Sequence, residues 1–488
     1  MSETSEKNHM MDALLELRCH FTWDLMGVDT DLADLEYRIW EEIEFLDTKF
    51  NVGIHNTLAY VKHLKGQNEQ ALESLRQAEE QIQQLHDDEA EIKSLVTWGN
   101  YAWIYYHMDK LAEVQIYLDK IETFCKRHSS PFRYKVELPE IDCEEGWCLL
   151  KFGKDCYERA RACFQKALES QPENPEFYTG FAIVIYRLDH LGREDGPRIS
   201  LEALRRAVTI NPEDNYLKVL LALKLQNADH IEEGEKYLEE ALKNRSSQTY
   251  ILRYAAKFYR RKQCLDKALQ LLESALKTTP SSATLHYEVG LCYKAKMIQI
   301  KKVANYARKD TDRQELKRVI EVAITHFNTS IGLRPTFESN YIELGNLYAE
   351  VGDIHKAEEN YQKVLNMKKL PDYIRQNVHY RYGCFLEFKK RSEADALIQY
   401  LAGLKINTDN KFIKNKLLIT LEKLVKKHLS QNESDVVNWS LLGFIYKVKG
   451  EQREAMQFYE KALELGSTLL LSKTSLFPPD AAQTLSYF

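Results

Sequence analysis

A pattern of small and aromatic residues that recurs about every 34 positions constrains the fold of this chain most strongly. The clearest copy is NWSLLGFIYKVKGEQREAMQFYEKAL at 438–463, where Gly443 and Ala455 let two helices approach and Tyr446 and Tyr459 fill the space beside them. Further copies lie at 98–121, 157–172, 252–280 and 340–365, with weaker ones near 55–80, 176–212, 217–245, 286–335 and 378–405. The spacing predicts an all-α tetratricopeptide-repeat solenoid, a superhelix of antiparallel helix pairs.

Interruptions of this pattern predict how the chain is organised. The segment LDHLGREDGPRIS at 188–200 is too long for a repeat turn, and 297–318 either extends one helix or inserts a charged loop. We therefore expect N-terminal capping helices at 1–50, an N-terminal repeat subdomain at 51–245, central repeats with an inserted or extended helix at 246–335, C-terminal repeats at 336–465 and a flexible tail at 466–488.

The overall charge and the motifs limit the functional class. The formal net charge is −6, whereas a general nucleic-acid coat is strongly basic, so binding of a polyanion requires positive charge concentrated at one site. The P-loop, dinucleotide-binding, zinc-protease and nucleophile-elbow motifs do not occur in the sequence. We therefore predict a binding protein rather than an enzyme, without a cofactor or a metal.

The sequence also indicates a compartment. Its first residues, MSETSEKNHMMDALLEL, are polar and charged, so we expect no secretion signal. No stretch approaches the roughly 20 apolar residues that span a bilayer, so we expect no membrane association. The nine cysteines are an odd number and lack metal-binding spacing, which favours free thiols. We expect a cytoplasmic protein.

Several charged and aromatic residues depart from the apolar inner face of a plain repeat. Lys151 stands where the repeat usually has tyrosine, one turn after Trp147, and Arg187 falls on the helix that lines the inner wall. Arg253 and Lys257, followed by Arg260, form a basic stripe at helical spacing. Cations that face one cavity favour an anionic ligand, and aromatic rings can stack on bases. From these residues alone, an anion-binding groove and a protein-docking scaffold both stay open.

Longer strings identify a family. They are LRCHFTW (17–23), AYVKHLKGQNEQAL (59–72), SLVTWGNYAW (94–103), DCEEGW (142–147), KVLLALKLQ (218–226), YAAKFYRRK (254–262) and GLCYKAKMIQIK (290–301). These strings closely resemble the interferon-induced proteins with tetratricopeptide repeats, the IFIT family, most of all its first member or the near-duplicate paralogue of that member. The resemblance implies an antiviral effector of innate immunity with a central tunnel that captures the 5′ end of non-self single-stranded RNA. The implied ligands are an N7-methylguanosine cap that lacks 2′-O-methylation and a 5′ triphosphate, and the implied outcome is inhibition of translation.

The resemblance also assigns site residues by position. Trp147 corresponds to the residue that stacks on the cap guanine, Glu176 to one that hydrogen-bonds to it, and Tyr157 and Arg187 to contacts of the first ribose. The full implied set for the cap is Trp147, Leu46, Glu176, Ile183 and Asp214; for the phosphates and the RNA it is Arg38, Glu42, Thr48, Lys151, Tyr157, Arg187, Tyr250, Arg253, Tyr254, Lys257, Arg260 and Tyr287.

Some of these positions differ from the family pattern. Glu42 replaces a glutamine near the phosphates, Tyr287 and Glu288 replace a histidine–glutamine pair, Asp214 replaces an asparagine, and Cys384 replaces an arginine. The changes add negative charge to a site for polyanions. We therefore predict weaker binding of uncapped 5′-triphosphate RNA than the family's first member shows, with cap binding retained through Trp147.

The last repeat carries a further correspondence. Tyr459 and Leu463 match a Y-x-x-x-L pattern through which the family's first member self-associates and pairs with sister proteins. The repeat itself also requires an aromatic residue at Tyr459, so packing within the repeat is the alternative interpretation. The alternative function is an adaptor that binds sister IFIT proteins or other protein partners without RNA.

Overall fold

The computed structural model describes residues 3–25, 30–45, 51–85, 87–189, 196–243, 248–304, 310–408 and 411–474 of the 488-residue chain. Leu46 and Thr48 lie outside these residues. The chain forms two compact units, at 1–340 and 341–488. Among the described helices, none has the length and hydropathy needed to span a membrane.

Helices account for most of the described residues, as the repeat spacing predicts. Those up to the end of the central repeats are α1 (Glu3–Glu16), α2 (Leu32–Phe45), α3 (Asn51–Leu64), α4 (Asn68–Ile82), α5 (Asp87–His107), α6 (Leu111–Arg127), α7 (Pro139–Phe152), α8 (Tyr157–Ser170), α9 (Pro175–Asp189), α10 (Gly196–Ile210), α11 (Asn215–Asn227), α12 (Ile231–Lys243), α13 (Thr249–Arg261), α14 (Leu265–Thr278), α15 (Ala283–Ala304) and α16 (Asp310–Leu333).

The C-terminal helices follow the same order of pairs. They are α17 (Glu338–Val351), α18 (Ile354–Leu365), α19 (Asp372–Phe385), α20 (Glu393–Lys405), α21 (Lys411–Gln431), α22 (Val436–Lys449) and α23 (Gln452–Thr474). A short π-helical segment, Leu386–Lys390, follows α19.

The packing of glycine against an aromatic ring explains why the repeat pattern predicts this fold. A Cβ atom at Gly383 would lie 2.3 Å from Tyr400 Cε1, and one at Gly443 would lie 2.7 Å from Tyr459 Cδ1. Tyr400 is fully buried, and Ala396 beside it is also buried. Because interiors are close-packed, a side chain at either glycine would push the paired helices apart. The predicted tetratricopeptide-repeat solenoid is confirmed.

The two predicted interruptions have different outcomes. The described parts of 297–318 are helical, at 297–304 in α15 and 310–318 in α16, and these helices have 22 and 24 residues, longer than most of the others. Residues 305–309 lie outside the described part of the chain. Residues 190–195 of the first interruption lie outside the described part of the chain. At the C-terminal end, α23 continues to Thr474, so the flexible tail predicted from residue 466 is helical at 466–474.

Helix α2 does more than cap the first repeats, because it joins distant parts of the first unit. The carboxylate of buried Glu41 accepts hydrogen bonds from Ser282 Oγ (2.6 Å), Thr284 N (3.0 Å) and Thr284 Oγ1 (2.6 Å). Nearby, Ala283 N donates to Tyr37 Oη at 2.9 Å. The start of α15 therefore contacts a helix about 240 residues earlier in the sequence.

An ion pair makes the second link from α2. Arg334 donates from Nε to Asp34 Oδ1 (2.7 Å) and from Nη2 to Oδ2 (3.0 Å), the two-pronged geometry that makes arginine–carboxylate pairs strong. Thr336 Oγ1 donates to the same carboxylate at 2.6 Å. These contacts and those of Glu41 close the first unit around an interior.

Breaking this ion pair is expected to destabilise the first unit. The side chains of Arg334 and Asp34 are only 13% and 17% exposed, so Arg334→Ala leaves a largely buried carboxylate without its main partner and lowers the free energy of unfolding by about 3 kcal/mol. Urea titration measures the change. The control is Lys363→Ala, which removes an exposed ion pair with Glu359 and costs less than about 1 kcal/mol; equal effects of the two variants would contradict the linking role of α2.

Candidate RNA 5′-end site

Helices α2 and α7 bring the first predicted phosphate residues together. Lys151 Nζ forms an ion pair with Glu42, and Arg38 Nη1 donates to the carbonyl oxygen of Lys151 at 3.2 Å. Arg38 also donates from Nε to Asp34 at 2.9 Å. Burial acts to raise the pKa of Glu42, but Lys151, Arg187 and Arg38 outweigh it and hold that pKa below its ordinary value. Glu42 is therefore ionised, and its carboxylate forms an ion pair with the ammonium group of Lys151.

Arg187 on α9 lies beside this pair. Its Nη1 donates to the carbonyl oxygen of Leu150 at 3.1 Å, and its guanidinium lies 5.8 Å from the centre of the Tyr157 ring. Within the described residues it forms no ion pair with a carboxylate. The structure therefore places Arg187 beside Tyr157, and their contact with the first nucleotide stays a prediction.

Helix α13 supplies cations from another part of the first unit. The guanidinium of Arg253 lies 4.6 Å from the centre of the Tyr254 ring and 5.9 Å from that of Phe45 on α2. Lys257 Nζ lies 5.9 Å from the Tyr254 ring. Tyr216 on α11 contacts Tyr250 and Tyr254, with ring centres 4.6 and 5.6 Å away. We call Arg38, Lys151, Arg187, Arg253 and Lys257 the cationic cluster.

The pKa of Tyr254 responds to the cations around it, whereas burial raises the pKa of its neighbour Tyr216 well above the ordinary value. Burial of a phenol ordinarily raises its pKa. Here burial acts in that direction, but Arg253, Arg187 and Lys257 outweigh it and lower the pKa of Tyr254 below its ordinary value. Burial also holds the pKa of Lys257 below its ordinary value. The interior is therefore electrostatically suited to an anion.

The end of the predicted basic stripe is neutralised. Arg260 Nη2 donates to Glu288 Oε2 at 3.0 Å, and their side chains are only 20% and 13% exposed. Tyr287 packs against Phe337 and Phe327, with ring centres 4.8 and 5.7 Å apart. Arg260 therefore forms an ion pair with Glu288, as Lys151 does with Glu42, and we leave it outside the cationic cluster.

The predicted cap residues that the structure describes lie on α7 and α9 and at the start of α11; Leu46 lies outside the described residues. Trp147 is half-buried and meets Phe164 edge-to-face, with ring centres 5.3 Å apart. Ile183 is buried, with 3% of its surface exposed. Asp214 caps α11, where Oδ1 accepts from Tyr216 N (2.8 Å) and Leu217 N (3.1 Å). A helix cap accounts for the acidic residue at Asp214, and its contact with a ligand stays a prediction.

The sequence did not point to the polar residues behind this pocket. Lys93 Nζ on α5 lies 3.5 Å from Glu176 Oε1. Buried Glu144 accepts a hydrogen bond from Asn56 Nδ2 at 2.9 Å. Burial raises the pKa of Glu144 to about 7, although Asn56 and Lys93 act in the opposite direction.

The raised pKa of Glu144 predicts a pH-dependent stability. A carboxyl group with a raised pKa favours folding while it is protonated, so its contribution is lost as the pH rises from 4.5 through about 7. Glu144→Gln keeps an uncharged acceptor, and its stability relative to the parent should increase by about 2–3 kcal/mol between pH 5 and pH 8.5. Urea titrations at the two pH values test this, with exposed Glu169→Gln as control. A difference between Glu144→Gln and the parent that does not change with pH would contradict it.

The last repeat separates its two predicted interface residues. Tyr459 packs against Gly443, as the repeat requires. Leu463 is 72% exposed and Met456, on the same helix, is 62% exposed. Val437 on α22 is 67% exposed. The end of the repeat array thus carries exposed apolar side chains.

Comparisons with known proteins agree with this architecture. Tetratricopeptide-repeat profiles match residues 219–283, 339–369 and 438–465. The chain is 54% identical over 469 residues to the antiviral innate immune response effector IFIT1 of Macaca fascicularis, covering 96% of this chain and 98% of that protein. It is also 54% identical over 471 residues to protein IFIT1 homolog B of Homo sapiens, covering 96% and 99%.

Solved structures give the same result. A human IFIT1 dimer with m7Gppp-AAAA has a TM-score of 0.84 and 53% identity, covering 93% of this chain and 99% of that one. A human IFIT1 dimer with PPP-AAAA has a TM-score of 0.81 and 51% identity, covering 94% and 99%. Identity at this level along nearly the full length shows that the chain belongs to the IFIT family, the interferon-induced proteins with tetratricopeptide repeats.

Proposed function

We propose that this protein captures the 5′ end of non-self RNA, preferring an N7-methylguanosine cap that lacks 2′-O-methylation, and so inhibits translation of that RNA in the cytoplasm. The observation that carries the proposal is the cationic cluster, which converges from α2, α7, α9 and α13 beside the half-buried Trp147. The solved complexes of human IFIT1 with capped and triphosphate RNA support it.

In this proposal the cap base lies against Trp147. A methylated guanine carries positive charge and stacks favourably on an indole. Ile183 packs around the base, and Glu176 accepts hydrogen bonds from its edge; the family resemblance assigns packing around the base to Leu46 as well. Asp214 contributes negative charge near the cap.

The phosphates bind the cationic cluster. Arg187 and Arg253 offer planar donor groups that match phosphate oxygens, while Lys151 and Lys257 provide point charges. Arg38 completes the cluster, and Tyr250 and Tyr254 line it; the family resemblance assigns a phosphate contact to Thr48 as well. Glu42 competes with the phosphates for Lys151.

The first nucleotide lies near Tyr157 and Arg187. A methyl group on its 2′ oxygen would crowd this pair, which disfavours RNA with a 2′-O-methylated cap. The protein acts by sequestration and catalyses no reaction, because it only has to hold the RNA end away from the translation machinery.

Translation in a cell extract tests the proposal. Added protein should inhibit translation of a message with an unmethylated-ribose cap more than that of the same message with a 2′-O-methylated cap. Arg187→Ala with Arg253→Ala should abolish the inhibition, whereas the control Lys449→Met, in an ion pair of the other unit, should retain it. Equal inhibition by the parent and the double variant would refute the proposal.

The exposed apolar end of the last repeat favours a second activity, association with another copy of the chain or with a sister IFIT protein. Human IFIT1 is a dimer in its complex with m7Gppp-AAAA, and a monomeric mutant of IFIT1 has two leucines replaced by glutamate. An adaptor role without RNA would use this same surface.

Charge on this surface is expected to prevent association. Leu463→Glu introduces a carboxylate where 72% of the side chain is exposed, so it should shift a self-associated sample to monomer without loss of folding. Tyr459→Glu would also disturb the contact with Gly443 and is the less specific variant. Sedimentation velocity measures the change. An unaltered profile for Tyr459→Glu combined with Leu463→Glu would place the interface elsewhere.

A further inference from the structure

The ion pair between Lys93 and Glu176 lies behind the proposed guanine pocket. The ammonium of Lys93 reaches from α5 to within 3.5 Å of Glu176 Oε1, on the first turn of α9. The thiol of buried Cys143 lies 3.9 Å from the same oxygen. In the described part of the chain, both partners of the carboxylate thus contact Oε1. Oε2 is the oxygen left to accept a hydrogen bond from a ligand.

Lys93 is a stable cation in this position. Burial acts to lower its pKa, but Glu176 and, with smaller effects, Cys143 and Glu144 raise it above the ordinary value. The side chains of Lys93 and Glu176 are 20% and 32% exposed, so solvent screens the pair only in part. Lys93 therefore serves as the counter-ion of Glu176 at neutral pH.

The chemistry of the purine edge shows what this arrangement selects. Guanine presents an N1–H and an exocyclic N2 amine, both donors, on the edge that a carboxylate can bind. Adenine has an acceptor at N1 and no amine at C2, so an ionised carboxylate there faces no donor. A partly buried carboxylate that loses its ligand donor is still penalised, which makes such a contact selective.

We infer that Lys93 is a positioning residue for guanine selection: it fixes Oε1 of Glu176 and thereby directs Oε2 at the donor edge of the cap base. This inference rests on the proposed function and adds the residue that sets its base specificity. Lys93 itself need not touch the RNA. A purely structural tie between α5 and α9 would instead affect all RNA ends alike.

Binding to three matched RNAs distinguishes these roles. The RNAs carry an N7-methylguanosine cap, an adenosine cap with the same triphosphate bridge, or a 5′ triphosphate. We expect Lys93→Met to weaken the binding of guanosine-capped RNA about tenfold, which is the effect of one charge-assisted hydrogen bond. Binding of the other two RNAs should stay within about twofold, because phosphate contacts dominate it.

Two further variants sharpen the test. Lys93→Arg keeps the cation and should recover most of the guanosine-cap affinity. Lys449→Met removes a lysine of comparable exposure from its ion pair with Glu422 and should change none of the three affinities. Glu176→Gln combined with Lys93→Met should be no weaker than Glu176→Gln alone, because both changes act on one contact.

The outcomes separate the inference from the proposed function. An unchanged guanosine-cap affinity in Lys93→Met, or an equal loss for all three RNAs, overturns the role of Lys93 while RNA capture by the parent stands. No binding of any of the RNAs by the parent overturns the proposed function and the inference together.

Discussion

Replacing Trp147 with alanine is expected to weaken binding of N7-methylguanosine-capped RNA by about 10- to 100-fold. The indole offers the flat face on which the cationic base stacks, and such stacking contributes about 1–3 kcal/mol per base, where each 1.4 kcal/mol is about tenfold in affinity. Triphosphate RNA has no cap base, so its affinity should stay within about threefold of the parent. Filter binding at moderate salt measures both.

The packing of Trp147 requires a control for folding. Its ring also contacts Phe164, so the alanine variant loses some core packing and its thermal unfolding must be measured beside its binding. Trp147→Phe keeps an aromatic face in the same position and should retain part of the cap affinity. An equal loss for capped and triphosphate RNA would show that the substitution damages the fold rather than a base platform.

Replacing Glu42 with glutamine is expected to raise the affinity for triphosphate RNA about tenfold. The carboxylate of Glu42 forms an ion pair with the ammonium group of Lys151, and Lys151, Arg187 and Arg38 keep it ionised. Its removal frees a cation and removes repulsion of the phosphates, worth about 1.4 kcal/mol. Capped RNA should gain less, because stacking on Trp147 supplies part of its binding energy.

The salt dependence of Glu42→Gln gives an independent measure. One additional phosphate contact steepens the slope of log affinity against log salt by about 0.7 for a single strand. Glu288→Gln, which releases Arg260 in the same way, is the matched second variant. Glu36→Gln removes another carboxylate of α2, one that forms an ion pair with Lys65, and it should leave the slope unchanged. An affinity for triphosphate RNA that is unchanged or lower in Glu42→Gln would contradict the competition between this carboxylate and the phosphates.

The fold was predictable because its determinants are local. Gly443 and Tyr459 lie 16 positions apart, and the same offset places Gly345 against Tyr361. Each repeat therefore shows its own packing in the sequence. The interruption of the repeat pattern at 297–318 was likewise a local property of the sequence. The structure shows extended helices α15 and α16 there.

The closure of the first unit could not be predicted in this way. Glu41 and Ser282 meet across 241 positions, and Asp34 meets Arg334 across 300. In both pairs, the sequence around one residue does not indicate which distant residue it contacts. The sequence showed α2 as a capping element, whereas Glu41 and Tyr37 tie it to the start of α15 and Asp34 ties it to Arg334 after the end of α16.

The site was predictable in part. The repeat pattern placed Trp147, Lys151, Glu176 and Arg187 on inner helices and showed the basic stripe that begins at Arg253. The family resemblance added the roles of Trp147 and Glu176 at the cap base. Whether these side chains are available to a ligand depends on tertiary contacts. Glu42 forms an ion pair with Lys151, Glu288 with Arg260 and Lys93 with Glu176. The sequence flagged Glu42 and Glu288 as added negative charge, but not which cations they occupy. Lys93 was missed because its partner lies 83 positions away.

Filter binding of the parent to four RNAs of one sequence tests the central claim most directly. The 5′ ends are an unmethylated-ribose cap, a 2′-O-methylated cap, a triphosphate and a hydroxyl. We predict the tightest binding for the unmethylated-ribose cap, weaker binding for the 2′-O-methylated cap and the triphosphate, and the weakest for the hydroxyl, which has neither a base for Trp147 nor phosphates for the cationic cluster. Equal affinity for all four ends, or no binding at moderate salt, would contradict capture of the RNA 5′ end.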